Sequence, residues 1–300
     1  MMPETGPQHE GLMLFQLHTP PGLPGSGRVR YAAAMYFNRT GRLSDAALEV
    51  YRICSPTDSE DPATLLAERR LGHEISVPTA TAEGRLRLLL SEIGPYLGTL
   101  SGPGVAEARK RLALHDGAAC TGCAPRQNAV TSSHMPRALA ALRVTHPALA
   151  QAISGAQNQL HWITYDGYPT ADVGRSFSEN HAYAPLIGGA DAPFAAEDWE
   201  IGLFLIAPHV LYRDHRHLAP ELYLPLTGPH GWRFGPDRAL TIKPAHQPVW
   251  NAPMVPHLTK VGPVPFLCVY IWAQDVNAVA EIVPAADWDR LEALRLGGVT

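Results

Sequence analysis

Hydrophobic residues change their spacing about halfway along the chain. From about residue 43 to residue 153 they recur at intervals typical of amphipathic helices. Ser44 and Asp61 are predicted to cap two of these helices, and Pro62 suits the first turn of the second. A further helix is expected to be disturbed at Gly94 and Pro95. Its apolar face consists of Leu86, Leu89, Leu90, Ile93 and Leu97.

After about Trp162, short apolar or alternating runs separated by glycine and proline predict β-strands. The run EIGLFLIAPHVLY is almost continuously apolar, and PFLCVYIW places alternate residues on one face. Many short strands with tight turns favour a barrel or sandwich over a parallel sheet with crossover helices. We therefore predict an α+β protein, with a mostly helical region over residues 1–145 and a β-barrel domain over residues 146–300. The barrel itself is expected between about Trp162 and Val283, with the helices packed outside.

Composition limits the partners of the chain. Its 300 residues are 46% hydrophobic and 17% charged, and the formal net charge is -4. No basic field attracts phosphate backbones, so nucleic acid is not an expected partner. No run approaches about eighteen uninterrupted apolar residues and the N-terminus lacks signal-peptide features, so we expect a cytoplasmic protein that does not enter membranes. The 4 cysteines are too few for a disulfide scaffold, which agrees with a reducing compartment.

The stretch HRHLAPELYLPLTG begins at His215 and crowds four reactive side chains into an otherwise apolar segment. Because side chains alternate along a strand, His215 and His217 would share one face, and Glu221 and Tyr223 would share one face of their own strand. Two such pairs facing one cavity would form a divalent metal site. Neutral imidazoles suit zinc, iron, nickel or copper, and the carboxylate adds a harder oxygen ligand.

A further ligand is expected from elsewhere in the barrel. His257 is the best candidate, because it follows a turn in NAPMVPHLTK and lies one hairpin later. Burying three imidazoles and a carboxylate without a cation would be costly. The predicted cofactor is one divalent transition metal (zinc, iron, manganese or nickel), and its predicted ligands are His215, His217, Glu221 and His257.

The sequence CTGC contains a second candidate metal-binding pair, Cys120 and Cys123. The pair could contribute to a structural zinc site with His115 or His134, or act as a redox pair. A lone CxxC is a weak signal, and unremarkable loop thiols are the more common case.

The spacing of the predicted ligands resembles the first motif of the cupin barrel. That motif is His-x-His, three residues, Glu, six residues, Gly, and it matches at His215, His217, Glu221 and Gly228. Cupins usually have glycine six positions before the first histidine, where this chain has His209. The second motif keeps its histidine but not its Pro-x-Gly lead-in. The resemblance implies a C-terminal, mainly antiparallel cupin β-barrel.

A narrower resemblance covers roughly residues 147 to 275. The stretches HWITY, ENHAYAPLIGG, GLFLIAPHVLYRDHRHLAPELYLPLTGPHGWRFG, VWNAPMVPH and YIWAQD are similar to cupin-type dimethylsulfoniopropionate (DMSP) lyases and their relatives. Those enzymes split DMSP into dimethyl sulfide and acrylate with a bound divalent metal. The pattern of that family falls here on Tyr212, His215, His217, Glu221, Tyr223 and His257. The resemblance implies a lyase whose substrate is DMSP or a similar small carboxylate.

A β-elimination requires removal of a proton beside the carboxylate, and that carbon acid is very weak. A metal on the substrate carboxylate would stabilise the enolate-like charge, and a base must lie nearby. Tyr223 is the predicted base, because a nearby cation favours its phenolate, and Tyr212 is a supporting donor or alternative base. Aromatic faces could hold a sulfonium group by cation–π attraction. The predicted substrate-binding residues are Trp250, Trp232, Tyr270 and Trp272.

Two other functions fit the same barrel. Three histidines and one glutamate around iron also suit a dioxygenase, although an oxygenase has no need of a tyrosine base. The barrel could instead bind or sense a small molecule without catalysis, because a fold does not fix a function. The N-terminal helices could cover the mouth of the barrel or form the interface of a homodimer.

Overall fold

The computed structural model of the chain describes residues 13, 16–17, 19, 21–22, 24–71, 81–115 and 123–297. Residue contacts divide the chain into two compact units, Met1–Ser91 and Glu92–Thr300. The helices between residues 105 and 156 fall in the second unit, which also contains the described strands. The division into domains after residue 145 remains a prediction.

The first unit is helical where it is described. Its helices are α1 (Ser26–Arg39), α2 (Asp45–Cys54) and α3 (Pro62–Glu68). The side chain of Ser44 accepts a hydrogen bond from the amide of Ala47, and the side chain of Asp61 accepts one from the amide of Ala63. Both predicted N-caps are therefore confirmed, as is Pro62 at the start of α3.

The helix α4 (Ala82–Gly98) contains the boundary between the two units. It continues through Gly94 and Pro95, where the sequence predicted a disturbance, and this expectation is corrected. A proline removes only one hydrogen bond of the helix, and Ile93 and Leu97 are fully buried on either side of it. Burial of the apolar face therefore keeps the helix intact.

The second unit contains further helices before, between and after its strands. They are α5 (Val105–Leu114), α6 (Ala129–Arg143), α7 (Pro147–Ala156), a 3₁₀ turn (Gln157–Gln159), α8 (Thr170–Val173), α9 (Arg175–Glu179) and α10 (Trp288–Ala293).

Eleven strands follow in the described part of this unit. They are β1 (His181–Gly188), β2 (Phe194–Ala195), β3 (Glu200–Ile206), β4 (Leu211–Arg216), β5 (Glu221–Pro225), β6 (His230–Arg233), β7 (Thr241–Lys243), β8 (Val249–Asn251), β9 (His257–Lys260), β10 (Phe266–Trp272) and β11 (Glu281–Ile282).

The strands form two sheets, with the orders β2-β1-β3-β10-β5-β8 and β11-β4-β9-β6-β7. The strand pairs are antiparallel except for the short parallel pair of β1 and β2. The predicted α+β class and the mainly antiparallel pairing are therefore confirmed. Within the described residues the strands are hydrogen-bonded as two separate sheets, whereas we expected one barrel. The helix α6 packs against β1, β3 and β10, as expected for helices outside the sheets.

Aromatic side chains from both sheets meet in one core. Phe204, Tyr223 and Phe266 come from the first sheet, and Tyr212 and Trp232 come from the second. Register explains which residues face inwards, because directly paired residues point to the same side of a sheet. Burying each large apolar side chain stabilises the fold by about 1.5–3 kcal/mol. The functional side chains described below extend from the same inner faces.

Two positions of the motif around β4 and β5 have backbone constraints. His209, in place of the usual glycine, has a φ of 66°, in the left-handed region that glycine adopts most readily. Gly228 has no room for a side chain, because a Cβ there would lie 2.5 Å from the backbone nitrogen of Ala245. Glycine at position 228 therefore allows the chain to pass close to the loop before β8.

Candidate metal centre and active site

Three imidazoles converge where β4 ends and β9 begins. His215 lies directly opposite His257 in the antiparallel pair of β4 and β9, and His217 follows β4 by one residue. Their ring nitrogens include three atoms that all lie within 4.8 Å of one another, and all three residues are buried. This is the one such group of histidine, cysteine and acidic residues in the described part of the chain.

A bulge in β4 sets the direction of His215. Tyr212 pairs with Thr259 and His215 pairs with His257, so two residues of β4 stand opposite the single residue Leu258. In a regular strand, side chains three positions apart point to opposite faces. The extra residue brings Tyr212 and His215 to the same face, where their rings stack with centroids 3.8 Å apart.

Backbone contacts fix which nitrogen of each imidazole carries hydrogen. Nδ1 of His215 lies 2.9 Å from the carbonyl of Arg213, Nδ1 of His217 lies 2.8 Å from that of Ala219, and Nδ1 of His257 lies 3.0 Å from that of Val255. A carbonyl only accepts, so each Nδ1–H must donate. The neutral rings therefore present the lone pair of Nε2, which is the arrangement of histidines that bind metals.

Glu221, the first residue of β5, lies against two of these imidazoles. Its Oε2 atom is 3.4 Å from Nε2 of His217 and 3.5 Å from Nε2 of His257. Two neighbours orient the carboxylate: Asn251 Nδ2 donates to Oε2 at 2.7 Å, and Trp272 Nε1 donates to Oε1 at 2.7 Å. Asn251 and Trp272 are paired with Glu221 from the strands on either side, so the register places both of them.

The electrostatics of the cluster favour an ionised Glu221 and a neutral His215. Burial opposes ionisation of Glu221, but its contacts with His217 and His257 outweigh burial and hold its pKa well below the usual range. Burial, together with the neighbouring His257 and His217, holds the pKa of His215 well below its usual value. For His217, the effect of Glu221 exceeds that of burial and raises the pKa.

The residues present fit a divalent transition metal. Three Nε2 lone pairs and a carboxylate oxygen point together, and acceptors placed against acceptors need a cation between them. Nε2 of His257 is buried and has no hydrogen-bond partner among the described residues. Three nitrogens and one oxygen form a donor set that suits zinc, iron, manganese or nickel. The structure thus brings together the four side chains that the sequence predicted as ligands.

Tyr223, the predicted base, lies two residues after Glu221 on the same face of β5. It is buried, and its ring is 5.9 Å from that of Trp232 and 6.0 Å from that of Phe204. Burial and the negative charge of Glu221 raise its pKa well above the usual value near 10. The protein alone therefore keeps this phenol protonated, and a phenolate would require a positive charge beside it.

Tyr212, the predicted supporting donor, lies on the other sheet. Its ring stacks on His215 and, at 3.9 Å, on Phe177. Its hydroxyl is 3.1 Å from that of Tyr168, a residue that the sequence did not single out. Burial is the largest cause of a pKa of Tyr212 well above its usual value. No periodic pattern could have identified Tyr168, because it lies in the loop YDGYPT before α8.

Three of the four predicted substrate-binding aromatics lie at or near the cluster. Trp272 stacks on His217 with ring centroids 4.7 Å apart while it donates to Glu221. Tyr270 is the strand partner of Tyr223 and donates its hydroxyl hydrogen to Glu200 at 2.6 Å. Trp232 belongs to the aromatic core beside Tyr223.

The fourth aromatic, Trp250, lies on the opposite face of its strand from Asn251, and its role in substrate binding remains a prediction. The neighbouring Asn251 points to Glu221, so alternation along β8 directs Trp250 away from the ligands. Its ring packs on Gly104, where a Cβ would lie 2.4 Å from the nearest ring carbon. The side chain of this strand that contacts Glu221 is Asn251, which the sequence did not single out.

Only the second cysteine of the CTGC pair belongs to the described part of the chain. Cys120 lies outside the described residues, and Cys123 donates to the carbonyl of Asp191 at 3.0 Å. His115 contacts the carbonyl of Ala195 at 2.8 Å. A metal or redox role for this pair remains a prediction.

A comparison with family models identifies the family of the chain. A family model described as dimethylsulfoniopropionate lyase matches residues 105–268, which is more than half of the chain. No curated protein matches the sequence. In the described part of the chain, no helix has both the length and the apolar character needed to span a membrane.

Solved structures of DMSP lyases share the fold at low sequence identity. A structure described as "Crystal structures of DMSP lyases RdDddP and RnDddQII" matches with a TM-score of 0.53 and 17% identity, over 68% of this chain and 100% of that one. DMSP lyase DddQ from Ruegeria pomeroyi matches with a TM-score of 0.51 and 18% identity, over 66% of this chain and 96% of that one. A cupin-like protein from Thermotoga maritima matches more weakly, with a TM-score of 0.33 and 15% identity over 40% and 87%.

Proposed function

Because the chain belongs to the DMSP lyase family, which makes it a carbon–sulfur lyase, we propose that it cleaves DMSP or a similar small carboxylate by β-elimination. The observation that carries the proposal is the convergence of three Nε2 atoms and Oε2 of Glu221 beside two buried phenols. A site that unites candidate metal ligands with proton-transfer groups is suited to remove a proton beside a carboxylate.

His215, His217, His257 and Glu221 would hold the metal in this proposal. A divalent transition metal bound there would supply a Lewis acid that stabilises negative charge on a substrate carboxylate. Asn251 and Trp272 keep Glu221 in place through one hydrogen bond to each carboxylate oxygen. The carbonyls of Arg213, Ala219 and Val255 do the same for the imidazoles, so the set is preorganised by the chain itself.

Tyr223 would take the proton from the carbon next to the carboxylate. The electrons of that C–H bond form the new carbon–carbon double bond, and the C–S bond breaks with its electron pair on sulfur. With DMSP, the products are neutral dimethyl sulfide and acrylate, so charge and atoms balance without an oxidant. Tyr212 is the alternative base or a supporting donor. The faces of Tyr270 and Trp272 are available to a sulfonium group by cation–π attraction.

The remaining features of the proposal come from the sequence. We expect a cytoplasmic protein without nucleic acid or membrane partners, and a homodimer is one arrangement that the N-terminal helices could serve. The metal is expected to be zinc, iron, manganese or nickel.

A product balance tests the proposal. Purified protein of known metal content is incubated with DMSP and related small carboxylates while dimethyl sulfide, acrylate and oxygen are measured. The proposal predicts equal amounts of both products without oxygen uptake. His209→Gly is a matched control for histidine variants, because glycine suits the φ of 66° and His209 is not one of the ligands. Oxygen consumption without dimethyl sulfide would instead favour the dioxygenase.

A further inference from the structure

Two buried hydrogen-bond donors near the metal centre have no acceptor among the described residues. They are Nε1 of Trp232 and Oγ1 of Thr259, and both side chains are 1% exposed. Other tryptophans of the same unit differ: Trp162 Nε1 donates to the carbonyl of Gln157, and Trp272 and Trp288 donate to carboxylates. The missing partner of Trp232 is therefore a local exception.

The register of the second sheet places these donors side by side. Trp232 on β6 is directly opposite Thr259 on β9, and directly opposite residues share one face with Cβ atoms about 4.5–5.5 Å apart. Thr259 follows His257 by two residues, so it faces the same side as that imidazole. Tyr212 pairs with Thr259 from the other neighbouring strand. The two donors thus form part of the next row of side chains beyond the imidazoles.

Among the described residues, no acceptor lies within hydrogen-bonding distance of either donor. The indole ring of Trp232 lies 5.9 Å from the ring of Tyr223 and 5.8 Å from that of Phe266. Leaving a buried donor unpaired costs about 1–3 kcal/mol, and buried polar groups in folded proteins are nearly always paired. An indole N–H can only donate. Whatever occupies this position must therefore present an acceptor, which a hydrocarbon or a sulfonium methyl group does not have.

We propose that Trp232 Nε1–H and Thr259 Oγ1–H form a carboxylate-binding pair for the substrate. The assignment rests on the proposed function for the identity of the substrate as a small carboxylate. Two preformed donors in a dry interior favour an anionic oxygen and stabilise the negative charge that grows on it when the neighbouring carbon loses its proton. Trp232 thus binds substrate through its N–H edge, whereas the sequence predicted binding through its ring face.

Binding of propionate, a simple carboxylate, to the metal-loaded protein tests the pair directly. Thr259→Val removes the hydroxyl at nearly constant volume, and we expect propionate to bind about tenfold to hundredfold more weakly, as for a lost hydrogen bond to a charged group. Thr259→Ser retains the hydroxyl and should bind propionate like the wild type. Trp232→Phe should weaken propionate binding in the same direction. Calorimetry gives the dissociation constants, and elemental analysis verifies equal metal content.

Thr227→Val is the matched control for loss of a buried threonine hydroxyl. The Thr227 hydroxyl already donates to the carbonyl of Pro265 at 2.7 Å and accepts from the amide of Leu267. Its loss should lower thermal stability and leave propionate affinity unchanged. Thr259→Val should not lower stability in the absence of ligand, because an unpaired hydroxyl contributes nothing to the fold.

Two results would overturn the pair. One is wild-type affinity for propionate in both Thr259→Val and Trp232→Phe, which would mean that the donors contact only water. The other is a wild type that binds propionate no better than uncharged propionamide. Propionate binding that depends on the pair, in a protein that releases no dimethyl sulfide from DMSP, would refute the proposed substrate and retain the pair. Lyase turnover of the wild type, together with wild-type propionate affinity in both variants, would refute the pair and retain the proposed substrate.

Discussion

Two groups of histidines lie in the second unit, and their ring nitrogens have different partners. In the group of His215, His217 and His257, each Nδ1–H donates to a backbone carbonyl. Each ring offers one nitrogen within 4.8 Å of the others, and Nε2 of His217 and of His257 faces Glu221. In the second group, the ring centroids of His146 and His246 are 4.3 Å apart, compared with 4.1 Å for His215 and His257.

The second group is internally satisfied at His246. Its Nδ1 lies 3.1 Å from the hydroxyl of Tyr96, and its Nε2 lies 2.9 Å from Oγ1 of Thr145. Thr145 already donates its hydroxyl hydrogen to Leu142, so it accepts from Nε2–H, and Tyr96 donates to Nδ1. No lone pair of His246 remains for a metal. Close imidazoles alone therefore do not form a metal site. The partner of the second ring nitrogen determines whether a lone pair is available to a metal.

The largest expected effect is the loss of a ligand. His257→Ala should reduce bound metal from about one atom per chain to a small fraction, because the remaining side chains form an incomplete set. Lyase turnover should fall further than on loss of either phenol. His246→Asn is the control, since asparagine tolerates the φ of 64° at that position. Elemental analysis of both folded variants makes the comparison, and equal metal content would remove the distinction between the two groups.

The next effect concerns the base. Tyr223→Phe removes the phenol and keeps the ring, so turnover should fall by about 10²- to 10⁴-fold with little change in melting temperature. Metal content should fall only in part, because the histidine and glutamate ligands remain. Tyr212→Phe should lower turnover less than Tyr223→Phe does. A larger loss in Tyr212→Phe would make Tyr212 the base and Tyr223 the supporting donor. Near-normal turnover of the double variant would eliminate a tyrosine base.

A smaller effect is expected from the residue that orients Glu221. Asn251→Ala removes the hydrogen bond to Oε2 and should weaken metal affinity by about 10- to 100-fold, as for other residues that position a metal ligand. Trp250→Ala, at the next position and on the opposite face, is the matched control. It should leave metal affinity near that of the wild type. Competition with a chelator measures both affinities, and equal values for the two variants would refute the positioning role.

The smallest expected effect is a pH dependence of the unfolding free energy that arises from His246 in the second group. Burial and the neighbouring His146 lower the pKa of His246 to about 4. An unfolded histidine titrates near about 6.5, so between these values the unfolded chain binds more protons at this position. The stability that His246 contributes is therefore present above about pH 6.5 and is lost as the pH falls towards 4. His246→Asn should flatten this part of the profile of unfolding free energy, and an unchanged slope would contradict the assignment.

The sequence predicted which candidate ligands converge better than it predicted their surroundings. Alternation placed His215 with His217, and the structure brings both together with His257 and Glu221. Local spacing suffices here because the pair lies within a few residues of the end of one strand.

Other features depend on pairing between distant strands. The stacking of Tyr212 on His215 requires a bulge that becomes visible only when β4 is aligned with β9. The sequence marked Trp250 as an aromatic but gave no reason to choose Asn251, whose role depends on the register of β8 against β5. The unpaired N–H of Trp232 depends on which acceptors surround it, and no one-dimensional pattern contains that information.

The most direct test of the central claim is the rate of dimethyl sulfide release from DMSP by one protein preparation in three states: as purified, stripped by a chelator and reloaded with metal. We predict that release falls to background on stripping, that the stripped protein remains folded, and that about one metal atom per chain restores the rate. Unchanged release from stripped, folded protein would contradict a metal centre at His215, His217, His257 and Glu221.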